Sequence, residues 1–67
     1  MPLTPVKITE KVLEEYIKQS GFEFTKEYNA GNVIVRVQPS NNTFAVIMGS
    51  GTIMVADEFL IDLKKFL

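Results

Sequence analysis

Apolar residues recur at helical spacing near the start of the chain. This apolar stripe is formed by Val12, Leu13, Tyr16 and Ile17, and charged residues cover the other side. Thr9 stands where a helix N-cap belongs, because its hydroxyl can accept a free amide of the first turn. Gly21 suits the left-handed position that ends a helix. The pattern therefore predicts a helix over residues 9–20.

A second helical stripe lies near the other end of the sequence. It consists of Phe59, Leu60, Leu63, Phe66 and Leu67. Asp57 is the expected N-cap of this helix, since a carboxylate accepts first-turn amides and is favoured by the helix dipole. Lys64 and Lys65 fall where the C-terminal end of a helix favours positive charge.

Between the two stripes the pattern changes to the alternation of β-strands. Strands are predicted over residues 22–28, 33–38, 43–48 and 52–55, separated by short turns rich in Gly, Asn and Pro. Residues 1–7 contain two prolines and are predicted to form an extended N-terminal arm. Such short connections predict an antiparallel meander.

The order of elements predicts a single small α+β domain over residues 1–67. It reads α-β-β-β-β-α, with a four-stranded antiparallel meander sheet and both helices on one face. A chain of 67 residues builds only a small core, so self-association or a protein partner is expected to supplement it.

Strand alternation divides the sheet into two faces. The face under the helices is predicted to carry Phe24, Val33, Val35, Val37, Phe44, Val46, Ile53 and Val55. The opposite face is predicted to carry Ile34, Arg36, Ala45, Ile47 and Met54, with Thr25 and Glu27 beside them. An apolar centre with a polar rim is typical of a protein interface. The predicted interface residues are Ile34, Arg36, Ile47, Met54 and the off-stripe Ile61.

Composition excludes several kinds of chemistry. The chain has no cysteine and no histidine, which excludes disulfides, thiolate sites, histidine bases and the usual zinc sites. The adjacent carboxylates Glu14/Glu15 and Asp57/Glu58 diverge by about 100° on a helix, so neither pair faces one reacting atom. No catalytic, cofactor-binding or metal-binding residue is predicted, and no small-molecule substrate is evident.

Two further motifs bear on ligand binding. Gly49-Ser50-Gly51 lacks the lysine and the length of a phosphate-binding loop, so it is interpreted as a hairpin turn. Strand aromatics with Lys26 and Arg36 could bind single-stranded nucleic acid on the sheet surface. The acidic residues of the first strand and the net charge of −1 oppose that reading.

The sequence therefore predicts a small non-catalytic protein-interaction domain, acting as an adaptor, inhibitor or regulator. We expect a homodimer formed through the open sheet face or an edge strand; binding of single-stranded nucleic acid is the alternative. The N-terminal residues do not resemble a secretory signal, and the longest apolar run, Phe44 to Met48, is far too short to cross a membrane. A cytoplasmic location is expected.

Overall fold

A computed structural model describes residues 2–67. The elements are β1 (Leu3–Val6), α1 (Glu10–Gln19), β2 (Glu23–Asn29), β3 (Asn32–Gln38), β4 (Asn42–Ile47), β5 (Ile53–Ala56) and α2 (Asp57–Phe66). All strands belong to one antiparallel sheet with the order β1-β5-β4-β3-β2. The α+β class is confirmed. None of the helices in residues 2–67 is long and apolar enough to span a membrane.

Local capping signals define α1 as predicted. The Thr9 hydroxyl accepts the backbone amide three residues further on, at an N···O distance of 3.2 Å. At the other end Gly21 has φ of +84°, and the amides of Gly21 and Phe22 donate back to the carbonyls of Lys18 and Ile17. This is the Schellman arrangement, which satisfies carbonyls that the last helical turn would otherwise leave free.

The sheet has five strands, so the prediction of four was wrong. Residues 3–6, which were expected to lie in an extended arm, form β1 and pair with β5 from Leu3↔Ala56 to Val6↔Ile53. The arm had been predicted over residues 1–7, of which Met1 lies outside the described residues. The pairing was missed because its partner lies about fifty residues further along the chain, beyond any local pattern.

The two glycine-containing turns close hairpins as predicted. Ala30 and Gly31 connect β2 to β3 with φ of +50° and +84°. Positive φ at both central residues is the type I′ turn, whose twist matches that of the flanking strands. In the β4–β5 loop, which contains Gly49-Ser50-Gly51, Met48 donates its amide to the Thr52 carbonyl at 2.8 Å.

A β-bulge in β4 changes which residues face the helices. Val35 pairs with Ala45, but the next residue, Arg36, pairs with Thr43, so that Phe44 is an extra residue on β4. Both Phe44 and Ala45 are fully buried, at 0% exposure. The bulge therefore turns two consecutive side chains toward the helices.

The faces predicted for three β4 residues were wrong for this reason. Val46 pairs with Ile34 and Met54, and it lies on the face away from the helices. Ala45 and Ile47, which were expected on that face, lie on the helix side, where Ile47 packs against the buried core. Strict alternation assigns these three residues to the wrong faces because it does not allow for the residue inserted at the bulge.

The core lies between the sheet and the two helices. The Phe44 ring centroid is 5.8 Å from that of Tyr16 in α1 and 4.6 Å from that of Phe59 in α2, so both helices cover the same face. The fully buried core side chains with the largest volumes are Phe44, Leu13, Ile17, Leu63, Val35 and Val55. Phe24, predicted on the face under the helices, and Leu60, predicted in the second apolar stripe, are partly exposed at the core's margin.

Asp57 does not cap α2 in the predicted way. The helix begins at Asp57, and its N-cap position is occupied by Ala56, whose side chain cannot accept a hydrogen bond. Instead the Asp57 carboxylate accepts a hydrogen bond from the Thr4 hydroxyl at 2.7 Å, and the Asp57 amide donates to the Pro2 carbonyl at 3.2 Å. Both bonds hold β1 against the start of α2.

Candidate protein-interaction surface

The face of the sheet turned away from the helices, here called the open face, carries a row of apolar side chains across four strands. Cα pairing places Ile34, Val46, Met54 and Pro5 side by side on β3, β4, β5 and β1. Glu27 of β2 completes the row at the opposite edge. Ile34, Val46 and Met54 are partly exposed and Pro5 is exposed. These four residues, the apolar row, form a contiguous surface because neighbouring strands are about 4.8 Å apart.

Polar side chains border the apolar row on the β2–β3 side. The Arg36 Nε donates to Glu27 Oε2 at 3.3 Å, and its Nη1 donates to the Thr43 hydroxyl at 3.3 Å and to the Asn41 carbonyl at 3.4 Å. Gln38 bonds both Thr25 and Asn41 beside it. These bonds hold the guanidinium in place, so the border is an ordered polar rim.

Three of the five predicted interface residues share the open face. Ile34 and Met54 belong to the apolar row, and Arg36 belongs to the rim. Ile47 lies on the helix side of the sheet. Ile61 is 70% exposed, but it projects from α2, the helix that covers the opposite face.

Sequence reasoning missed two residues of the apolar row: Pro5, which was expected in the N-terminal arm, and Val46. Val46 stands in the apolar run from Phe44 to Met48, where alternation offers no polar position to mark the outer face. The surrounding sequence pattern therefore does not indicate the bulge, which exchanges the sheet faces of the residues that follow Phe44.

Lys26 and Arg36, the two basic residues proposed for nucleic-acid binding, lie on opposite faces. Lys26 pairs with Val35 on the helix side, whereas Arg36 pairs with Thr25 on the open face. The Lys26 ammonium lies 2.6 Å from Glu10 Oε2 and 2.5 Å from Glu14 Oε2, both on α1. The Lys26 ammonium donates to both carboxylates; these hydrogen bonds raise the pKa of Lys26, and the bond to Glu14 lowers the pKa of Glu14.

Aromatic side chains in the strands of residues 2–67 all lie on the helix side. Phe24 pairs with Val37 and Tyr28 with Val33, both of which belong to the core or pack against it. Phe44 is fully buried. The open face therefore offers apolar aliphatic contact and one ion-paired guanidinium, without a ring on which a base could stack.

Acidic residues are dispersed through the described part of the chain. Within residues 2–67, no group of three or more Asp and Glu side chains is arranged to hold a metal ion.

A shallow cleft of about 440 Å³ lies where β1 and β5 separate; it is lined by Pro5, Val6, Lys7, Ile8 and residues 50–53.

Both edges of the sheet carry features that oppose pairing with another strand. β2 carries Glu23, Lys26 and Glu27, and β1 is four residues long with Pro5 inside it. Charged residues, proline and short length are the devices by which edge strands avoid further pairing. Among the described surfaces, the open face is thus the better candidate for contact with another protein.

Comparison with known proteins identifies no relative of this chain. No protein-family model matches it, and neither the curated proteins nor the solved structures include a significant match.

Proposed function

We propose that this chain is a non-catalytic protein-interaction domain that forms a homodimer through its open face. The observation that supports the proposal is the apolar row, in which Ile34, Val46, Met54 and Pro5 align across four strands while both helices occupy the other face. A cytoplasmic location and a role as adaptor, inhibitor or regulator belong to the same proposal.

A second copy of the chain fits this surface for two reasons. The apolar row contains no charge, so a two-fold arrangement can bring the row against itself without burying an ion. The net charge of −1 also means that two copies repel each other only weakly.

The size of the open face predicts a weak dimer. Five strands at about 4.8 Å spacing are roughly 19 Å across, and strands of four to seven residues are roughly 13–23 Å long. The flat area is then roughly 250–440 Å² per copy, below the roughly 800 Å² per partner of a standard stable interface. The dimer is therefore expected to be reversible and to form at micromolar or higher concentration.

Nothing in the geometry favours the nucleic-acid alternative. Its two basic residues face in opposite directions and are paired with carboxylates, and the strand aromatics lie on the helix side. The open face therefore has no aromatic ring for a base to stack on, and its one basic side chain, Arg36, is already paired with Glu27.

Sedimentation equilibrium of the parent and of Val46→Glu tests the proposal, with each protein studied from about 10 to about 500 μM. The substitution places a carboxylate in the middle of the apolar row, and two-fold pairing brings two such charges together. The parent is expected to dimerise and Val46→Glu to stay monomeric, with unchanged far-UV circular dichroism. Ile61→Glu is the matched control, since it adds the same charge on α2 and should leave the dimer intact.

Each other outcome would point elsewhere. A parent that is monomeric up to about 500 μM contradicts the homodimer. A dimer that survives Val46→Glu has its contact at an edge or a helix. A dimer that is lost in Ile61→Glu but retained in Val46→Glu uses the outer side of α2.

A further inference from the structure

β1 is the first strand of the chain and lies at one edge of the sheet. Within residues 2–67 its covalent connection runs through residues 7–9, it pairs with β5 as its one neighbouring strand, and it also contacts α2 through the Thr4–Asp57 bond. None of its four residues is fully buried. Its departure from the sheet would therefore break contacts with β5 and with the start of α2 but leave the pairing among the other four strands in place.

The β5 edge under β1 depends on being covered. Ile53, Val55 and Ala56 are 3%, 0% and 0% exposed. If β1 left, the outer backbone groups of β5 would lose their partners and these apolar side chains would gain exposure. The edge therefore requires an occupying strand, but any strand with the sequence of β1 would make the same contacts.

The connection between β1 and α1 is a short turn over residues 7–9. The Ile8 amide donates to the Val6 carbonyl at 3.1 Å, which turns the chain sharply after β1. The exposed Lys7 stands at this turn, beside the cleft where β1 and β5 separate. Straightening the turn would carry β1 away from its own sheet. The turn bond would be lost, whereas the pairing with β5 and the Thr4–Asp57 bond would be made again by β1 of a second copy.

We propose that the β5 edge is a strand-acceptor site and that its β1 occupant can be exchanged with β1 of a second copy. Exchange preserves the four residue pairs between β1 and β5 and the Thr4–Asp57 hydrogen bond. In the exchanged dimer these contacts are made between two chains. Such exchange of identical elements is a low-cost route to a dimer. This proposal is independent of the open-face dimer, because it uses the edge of the sheet.

A disulfide between β1 and β5 reports which chain supplies the strand. Thr4 and Val55 are Cα partners on the helix side. Antiparallel partners lie about 4.5–5.5 Å apart, within the range that a disulfide spans. The chain contains no cysteine of its own, so Thr4→Cys/Val55→Cys introduces one defined pair. After oxidation, non-reducing electrophoresis separates chains closed on themselves from covalently joined dimers.

Samples of this variant are refolded at graded concentrations, equilibrated and then oxidised. The ratio of covalent dimer to monomer is expected to rise about tenfold for each tenfold rise in concentration while monomer predominates. Thr4→Cys/Lys26→Cys is the control, because Lys26 lies on the opposite edge strand and should give no more dimer than random collision. Intramolecular disulfide alone at every concentration would overturn the proposal.

A second pair keeps the test decisive if the buried cysteine impairs folding. Pro5→Cys/Met54→Cys joins the same two strands on the open face and replaces no fully buried residue. It is made in the Val46→Glu background, where face-to-face pairing is suppressed. Concentration-dependent covalent dimer there supports strand exchange even if the open-face dimer fails, and intramolecular closure alone contradicts strand exchange even if the open-face dimer forms.

Discussion

The bulge in β4 predicts opposite responses to the same substitution at two adjacent residues. Ala45 is fully buried between Val35 and Val55, whereas Val46 is partly exposed on the open face. Ala45→Glu would place a carboxylate among apolar side chains without an ionic partner. Val46→Glu would leave the carboxylate in contact with water.

The magnitudes separate the two variants clearly. A folded domain of 67 residues has a free energy of unfolding of about 3–10 kcal/mol. Burying an unpaired charge costs several kcal/mol even after relaxation, and the larger side chain also overpacks the site, by about 1–3 kcal/mol. Ala45→Glu is therefore expected to be largely unfolded. Val46→Glu should lose about 1–2 kcal/mol, from partial apolar burial and lower strand propensity.

Urea unfolding followed by far-UV circular dichroism measures the stability of both variants, at about 10 μM protein so that association contributes little. Ala45→Ser gives a graded version, with an expected loss of about 1–3 kcal/mol if the hydroxyl finds no partner. Equal stability of Ala45→Glu and Val46→Glu would refute the bulge. An unfolded Val46→Glu variant together with a folded Ala45→Glu variant would show that Val46 faces the helices, as strict alternation predicts.

Two other predictions concern the charged residues of the sheet. The lowered pKa of Glu14 stabilises the fold above the ordinary value of 4.5, and this contribution is lost as the pH falls through the lowered pKa. Lys26→Met should therefore reduce the acid sensitivity of the free energy of unfolding between pH 5 and 3, by at most about 1 kcal/mol because the pair is partly exposed; an unchanged pH profile would contradict it. The parent should show no salt-dependent binding of a labelled single-stranded oligonucleotide at physiological salt, whereas micromolar affinity that is abolished in Arg36→Ala would revive the nucleic-acid alternative.

Local signals in the sequence determined the helices and the turns. The Thr9 cap and the Gly21 terminus act within a few residues of the helix that they define, so each is readable from the chain. The Ala30-Gly31 turn likewise depends on the backbone freedom of its own residues. Together with the two periodicities, these features were sufficient for the α+β class and the antiparallel sheet.

Only the tertiary structure decided the features that join distant parts of the chain. β1 becomes a strand because the β5 edge is there to receive it, and Asp57 bonds Thr4 because that pairing brings them together. The bulge turns Phe44 toward the helices, where its ring packs against Tyr16 of α1 and Phe59 of α2, and it thereby places Val46 on the open face. Tyr16 and Phe59 lie far apart in the sequence, so this packing depends on the tertiary structure. Local sequence patterns do not encode contacts between distant elements. Which residues lie on the open face was therefore decided by the tertiary structure.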